Sequence, residues 1–214
     1  MVTADIMLKY FVLVFSSGLG KPDTITTKHI LKQHQLRAMS AKDDEDFQRL
    51  TVRRAYLFAD ALRGFSKPTF NASKPLKVSF IGEHAVDAGG PRRELFRHLI
   101  PEIATKSGLF AGWPDHVVPL HNIDAVASNT FYVVGKMLAA CLVQGGQPPV
   151  CFAHAVADYL VFDRVRSVPC IQDIADYEVQ QFMEQVTGSS ACKLIIGNCV
   201  YKDIFVPRLY RQVF

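Results

Sequence analysis

Residues 82–94 read GEHAVDAGGPRRE and are the most informative stretch of the chain. Gly89 and Gly90 allow a backbone turn with positive φ, and Pro91 is suited to the first position of a helix. Just before this stretch, residues 76–80 alternate apolar and polar side chains, which is typical of a strand with one buried face. The pattern therefore predicts a strand, a glycine-containing turn and a helix that begins near Pro91.

The arginines of this stretch allow two interpretations. Arg92 and Arg93 lie near a helix N-terminus, where they can help to hold an anion such as phosphate. Alternatively, one or both pair with acids of the chain, and Asp87 and Glu94 are the nearest candidates. The stretch has neither the Gly-Lys-Ser/Thr of a Walker loop nor a Gly-x-Gly-x-x-Gly pattern. We therefore favour the structural interpretation.

The flanking sequence predicts further helices. The acidic run at 43–46 suits a first helical turn, and the helix that follows carries Val52, Ala55, Phe58, Ala59 and Leu62 at helical spacing and ends near Gly64. The helix from Pro91 has an apolar stripe, but Pro101 should kink or restart it. Further helices are expected over 129–143, 153–162 and 173–186. The predicted fold class is mainly α with a small β component (α+β).

Composition and charge exclude several classes of protein. The chain has 214 residues, of which 49% are hydrophobic, so it can bury a core without disulfides or metals. Its net charge of +4 arises in the two ends, whereas residues 43–192 hold fourteen basic and seventeen acidic groups. This distribution argues against nucleic-acid binding. The apolar run at 10–15 is too short for a membrane span. It is also a poor secretory signal, because Asp5 stands where a basic region is expected and no Ala-x-Ala site follows. We expect a soluble intracellular protein, cytoplasmic or nuclear, with no membrane partner.

The cysteines give no sign of a catalytic or metal site. The chain has five, an odd number without a Cys-x-x-Cys pair, which favours reduced thiols. Cys151 and His154 are three residues apart, with Cys141 and Cys170 in the same region, but this spacing does not supply a typical zinc site. We therefore predict no catalytic, cofactor-binding or metal-binding residue and no cofactor.

Several motifs together resemble a known family. Residues 76–83 (LKVSFIGE) and 86–94 (VDAGGPRRE) resemble the opening signature of HECT ubiquitin ligase domains. Other matches keep the family's order and spacing, namely Val52-Arg53-Arg54 with residues 60–62, Phe131-Tyr132 with residues 135–138, residues 143–146, and residues 173–176. The resemblance covers roughly residues 47–187 and is closest to short, divergent HECT domains.

This resemblance implies a function for the parent domain. A HECT domain has a mainly helical N-lobe, which docks a ubiquitin-conjugating enzyme, and a C-lobe whose cysteine carries ubiquitin as a thioester. That cysteine follows Thr and precedes Phe-Asn, and none of the five cysteines here has those neighbours. Cys151 comes nearest, since it precedes Phe152, but it follows Val150.

The expected organisation is an N-terminal extension (1–42), a partial HECT N-lobe (43–187) and a divergent tail (188–214) that docks partially on the body. We expect a chain that lacks the C-lobe and the conjugating-enzyme docking subdomain, and that is inactive alone. Ubiquitin-conjugating enzyme and ubiquitin are the partners implied for the full-length family. The alternative is a non-catalytic interaction module derived from a HECT N-lobe.

Overall fold

The computed structural model describes these parts of the chain: residues 32, 35–36, 47–71, 74–83, 89–120, 122–144, 146, 150–162, 165–168, 170–174 and 176–186. The predicted tail at 188–214, with its expected docking, lies outside the described residues, as does nearly all of the predicted extension at 1–42. The domain boundaries inferred from the sequence therefore stay predictions.

The described elements are mostly helical. The helices are α1 (Leu57–Phe65), α2 (Gly90–Lys106), α3 (Ile123–Ala127), α4 (Thr130–Val143), α5 (His154–Phe162) and α6 (Tyr177–Val186). The strands are β1 (Gln48–Val52), β2 (Leu76–Phe80), β3 (Phe110–Trp113) and β4 (His116–Pro119), and short 3₁₀ helices lie at Arg54–Tyr56 and Ile171–Asp173. The predicted fold class, mainly α with a small β component, is confirmed. In the described ranges, no helix combines the length and apolar character needed to span a membrane.

A parallel strand pair stands at one side of the core. β1 and β2 are joined by α1, and their register places Val52 opposite Phe80. Both strands bury one face, which consists of Leu50, Val52, Leu76, Val78 and Phe80. α1 contacts β1, and α2 contacts β2. The strand predicted at 76–80 is confirmed. The predicted helix that included Val52 is wrong at its start, because residues 48–52 pair with β2 and the helix begins only at Leu57.

The sequence reasoning missed β3 and β4, which form an antiparallel hairpin. Its tight geometry depends on Gly112, whose φ is 116°. A Cβ at this position would lie 2.3 Å from the carbonyl oxygen of His116, so the strands approach too closely for any side chain. Phe110, Val117 and Val118 are buried and join the hairpin to the core.

The longer helices match the sequence patterns. α2 continues through Pro101 to Lys106, so the predicted restart does not occur. Pro101 has no N–H to donate to the carbonyl of Arg97, but Arg97 is exposed, where water can replace that hydrogen bond. The predicted helix at 129–143 is confirmed as α4, and those at 153–162 and 173–186 as α5 and α6, the last starting at Tyr177.

A buried glutamine connects the end of α4 to β2. The side chain of Gln144, which is 2% exposed, accepts a hydrogen bond from the backbone N–H of Leu76 at 2.7 Å. Its amide nitrogen donates to the carbonyl oxygen of Lys74 at 3.2 Å. The carboxamide thus bonds to the chain at the start of β2 as a neighbouring strand would.

Candidate functional site

The Gly82–Glu94 stretch begins where β2 ends and passes into α2. Gly82 and Gly89 both have positive φ, at 85° and 92°, and Gly89 directly precedes the helix. The predicted role of Gly89 in the turn is confirmed. The same prediction for Gly90 is wrong, because Gly90 is the first residue of α2 and is not among the glycines with positive φ. Residues 84–88, including Asp87, lie outside the described residues.

Arg54 joins the two ends of this stretch. Its guanidinium donates to both carboxylate oxygens of Glu83, from Nε to Oε1 and from Nη2 to Oε2, the latter at 2.9 Å. Nη2 also lies 2.8 Å from Oε1 of Glu94 in α2. The guanidinium carbon is 4.4 Å from the centre of the Phe80 ring. These hydrogen bonds raise the pKa of Arg54 and lower that of Glu83. Arg54 therefore ties the chain after β1 to both the end of β2 and the start of α2.

The preceding arginine makes a second, more buried ion pair. Arg53 donates its Nε to Oδ2 of Asp60 at 2.8 Å and its Nη2 to Oδ1 at 2.7 Å. The backbone N–H of Arg53 also donates to Oδ2, at 2.9 Å. The Asp60 side chain is 8% exposed, and the hydrogen bonds from Arg53 lower its pKa to about 2. This pair holds the β1 end of the chain against α1.

The two arginines of the motif itself have other surroundings. Nε of Arg93 donates to the carbonyl oxygen of Gly89 at 3.1 Å, and Arg92 is buried. The expectation that Glu94 pairs with one of them is wrong, because Glu94 pairs with Arg54. The nearest alternative acid, Asp87, lies outside the described residues. Since the carboxylates that meet Arg54 belong to the chain itself, the geometry favours a structural role for the motif.

The cysteines in the described part of the chain are poorly suited to nucleophilic chemistry. Burial raises the pKa of Cys141 to about 12 and that of Cys151 to about 11. Partial burial of its sulfur also raises the pKa of Cys170, and the neighbouring Asp173 carboxylate adds to this effect. All three are therefore thiols at neutral pH, whereas a reactive cysteine needs a lowered pKa. Cys192 and Cys199 lie outside the described residues.

One group of metal-ligating side chains comes together in the described residues. It consists of His116, Cys170 and Asp173, whose nitrogen, sulfur and oxygen atoms all lie within 4.8 Å of one another. Cys151 and His154, the pair considered from the sequence, are not part of it. No sequence motif indicates this group, because His116 is more than fifty residues from the other two.

A shallow apolar groove of about 290 Å³ lies between α2 and the β3–β4 turn. Phe96, Ile100, Pro114 and Cys151 line it, with the polar side chains of Arg97 and Asp115 at the same groove. With few polar groups, it offers no evident catalytic constellation.

Comparison with known proteins shows similarity to E3 ubiquitin-protein ligases. The human G2/M phase-specific E3 ubiquitin-protein ligase is 29% identical over 158 residues, which are 71% of this chain and 22% of that protein. Its chicken (Gallus gallus) counterpart is 25% identical over 176 residues, 78% of this chain and 24% of that protein. The chain is a homologue of HECT-type ubiquitin ligases.

A shorter similarity of higher identity leads to the same class. The chain is 43% identical over 89 residues to the human probable E3 ubiquitin-protein ligase HERC4. These residues are 40% of this chain and 8% of that protein. No protein-family model matches the sequence. The chain spans less than a quarter of the length of the curated relatives it matches. The resemblance predicted from the motifs is confirmed.

Proposed function

We propose that this chain is part of the N-lobe of a HECT-type ubiquitin-protein ligase, which transfers ubiquitin to substrate lysines through a cysteine thioester in a separate C-lobe. The observation that carries the proposal is the similarity to E3 ubiquitin-protein ligases over 71% of the chain. The Gly82–Glu94 motif supports it, because Arg54 holds its two ends together in a strand–turn–helix arrangement. We also propose that a ubiquitin-conjugating enzyme and ubiquitin are partners of the whole ligase, and that it acts inside the cell, in the cytoplasm or nucleus.

We propose further that this chain does not accept ubiquitin itself. A thioester cysteine must be an accessible thiolate during attack on the charged conjugating enzyme. Cys141 is fully buried, and the pKa values of Cys141 and Cys151 are both well above neutral pH. None of the five cysteines has the Thr before and Phe-Asn after that the family's thioester cysteine has. The catalytic cysteine would then lie outside this chain.

A loading assay tests this second proposal. The chain is incubated with activating enzyme, ATP, ubiquitin and a panel of conjugating enzymes, and products are separated without reductant. We expect ubiquitin thioesters on the conjugating enzymes and none on the chain. A HECT ligase of known activity serves as positive control under the same conditions. A reductant-sensitive ubiquitin adduct on any cysteine of the chain would overturn the proposal.

A non-catalytic interaction module is the second candidate, and exposed apolar side chains on α6 favour it. Tyr177 is 67% exposed and Phe182 is 63% exposed, so this helix presents large apolar groups to solvent. Such groups are available to contact another protein. The two candidates are separated by the full-length transcript: a continuation that encodes Thr-Cys-Phe-Asn downstream supports the ligase. A stop codon after Phe214 supports the module.

A further inference from the structure

Three side chains with different ligand atoms meet beside the β3–β4 hairpin. Nε2 of His116, the first residue of β4, lies 2.8 Å from Oδ1 of Asp173, which ends the second 3₁₀ helix. The Sγ atom of Cys170, just before that helix, lies 3.9 Å from the same Nε2. The Asp173 side chain is 4% exposed and that of His116 is 23% exposed, whereas Cys170 is exposed. The group is thus walled by protein on one side and reachable from solvent at the cysteine.

We propose that His116, Cys170 and Asp173 form a binding site for Zn²⁺, with Nε2, Sγ and Oδ1 as its ligands. This inference goes beyond the ligase function and does not depend on it. Imidazole, thiolate and carboxylate are the three side-chain groups that bind zinc in proteins. A three-ligand site of this kind leaves the fourth position for water.

The distances between the ligand atoms support a tetrahedral ion. With zinc bonds of roughly 2.0 Å to nitrogen and oxygen and 2.3 Å to sulfur, tetrahedral geometry separates nitrogen from oxygen by roughly 3.3 Å and nitrogen from sulfur by roughly 3.5 Å. The observed separations are 2.8 Å and 3.9 Å. For these two pairs, binding therefore requires movements of about half an ångström, which side-chain torsions can supply, and the third pair, sulfur and oxygen, lies within 4.8 Å.

The carboxylate is already oriented for this role. Oδ2 of Asp173 accepts a hydrogen bond from the backbone N–H of Cys170 at 2.8 Å. This hydrogen bond holds the buried carboxylate with Oδ1 toward His116. In established metal sites, similar hydrogen bonds to the ligating side chains fix their orientation. On binding, the Cys170 thiol releases its proton to solvent, and His116 coordinates through Nε2 with its ring proton on Nδ1. Asp173 Oδ1 then ligates the ion instead of facing the histidine N–H.

The site would connect parts of the chain that are distant in sequence. His116 belongs to the hairpin, while Cys170 and Asp173 flank the 3₁₀ helix that contacts both β4 and α6. A bound ion would cross-link these segments across more than fifty residues. Since the ion binds the folded arrangement of ligands, it should also raise the melting temperature of the chain.

Cobalt titration of the full 214-residue chain is the direct test, because Co²⁺ replaces Zn²⁺ and its bond to a thiolate absorbs light. We expect a thiolate-to-cobalt charge-transfer absorption that saturates at one equivalent and disappears when Zn²⁺ is added. Cys170→Ser should abolish this absorption. His116→Asn should weaken cobalt binding at least about tenfold, because replacing a residue that only contacts a metal ligand already weakens binding by about that factor. The matched controls Cys151→Ser and His98→Asn should leave the titration unchanged.

Two results would overturn the proposal. One is the lack of any thiolate-to-cobalt absorption in the unmodified chain, and the other is an absorption that persists in Cys170→Ser. Circular dichroism establishes that each variant is folded. A second measurement needs no variant: Zn²⁺ should slow alkylation of Cys170 by iodoacetamide, as read by peptide mass spectrometry. Equal alkylation rates with and without Zn²⁺ would also refute the site.

Discussion

Replacement of Gln144 by methionine tests whether one buried carboxamide fixes the start of β2. Methionine has nearly the same shape but neither donates nor accepts the two hydrogen bonds that Gln144 makes. The N–H of Leu76 would then be buried without a partner, which costs roughly 1–3 kcal/mol, and a second hydrogen bond, worth about 1 kcal/mol, would be lost. Better burial of an apolar side chain offsets part of this cost. We expect the free energy of unfolding to fall by about 2–3 kcal/mol.

Urea unfolding followed by circular dichroism measures this change. The midpoint should fall by about 1 M with an unchanged dependence on urea, because the surface exposed on unfolding stays the same. Gln185→Met is the matched control, since Gln185 is exposed on α6 and its replacement should change stability by less than about 0.5 kcal/mol. A loss below about 0.5 kcal/mol for Gln144→Met would refute the reasoning that this side chain stands in for a neighbouring strand.

Two further predictions concern the residues around the Gly82–Glu94 stretch. The pKa of Asp60 is about 2 in the folded chain, below its ordinary value of 3.8. The charged carboxylate therefore stabilises the fold above about pH 4, and this stabilisation is lost as the pH falls toward 2. Asp60→Asn should therefore lower the unfolding free energy at neutral pH by about 1–2 kcal/mol, a value reduced because Arg53 is half exposed and water weakens the ion pair. Urea titrations at several pH values measure this, and a stability difference between the two proteins that does not change with pH would contradict it. Gly89→Ala should lower the free energy of unfolding by about 1–2 kcal/mol, because alanine is strained at a φ of 92°. Gly90→Ala, in the first turn of α2, should leave stability unchanged or raise it slightly. Equal effects of the two substitutions in thermal unfolding would show that the turn does not depend on Gly89.

Apart from the short α3, which the sequence patterns did not indicate, the helices and the strand β2 could be predicted because their signals are local. Pro91 after two glycines marks the start of α2, and the apolar spacing of residues 131–142 requires a buried helical face whatever packs against it. The alternation at 76–80 likewise predicts one buried face. The motif order carried the resemblance to HECT ligases for the same reason, since each motif is contiguous in sequence.

The remaining features depended on contacts between distant residues. Residues 48–52 form β1 only because β2, nearly thirty residues later, supplies its hydrogen-bonding partners, and tertiary pairing here overrides the helical spacing that includes Val52. The sequence alone determined that Arg54 and Glu94 are charged, but only the fold brought them to 2.8 Å. In the same way, His116 meets Cys170 and Asp173 because the hairpin and the 3₁₀ helix pack together. A side chain's chemistry is fixed by its identity, whereas its partner is fixed by the path of the folded chain.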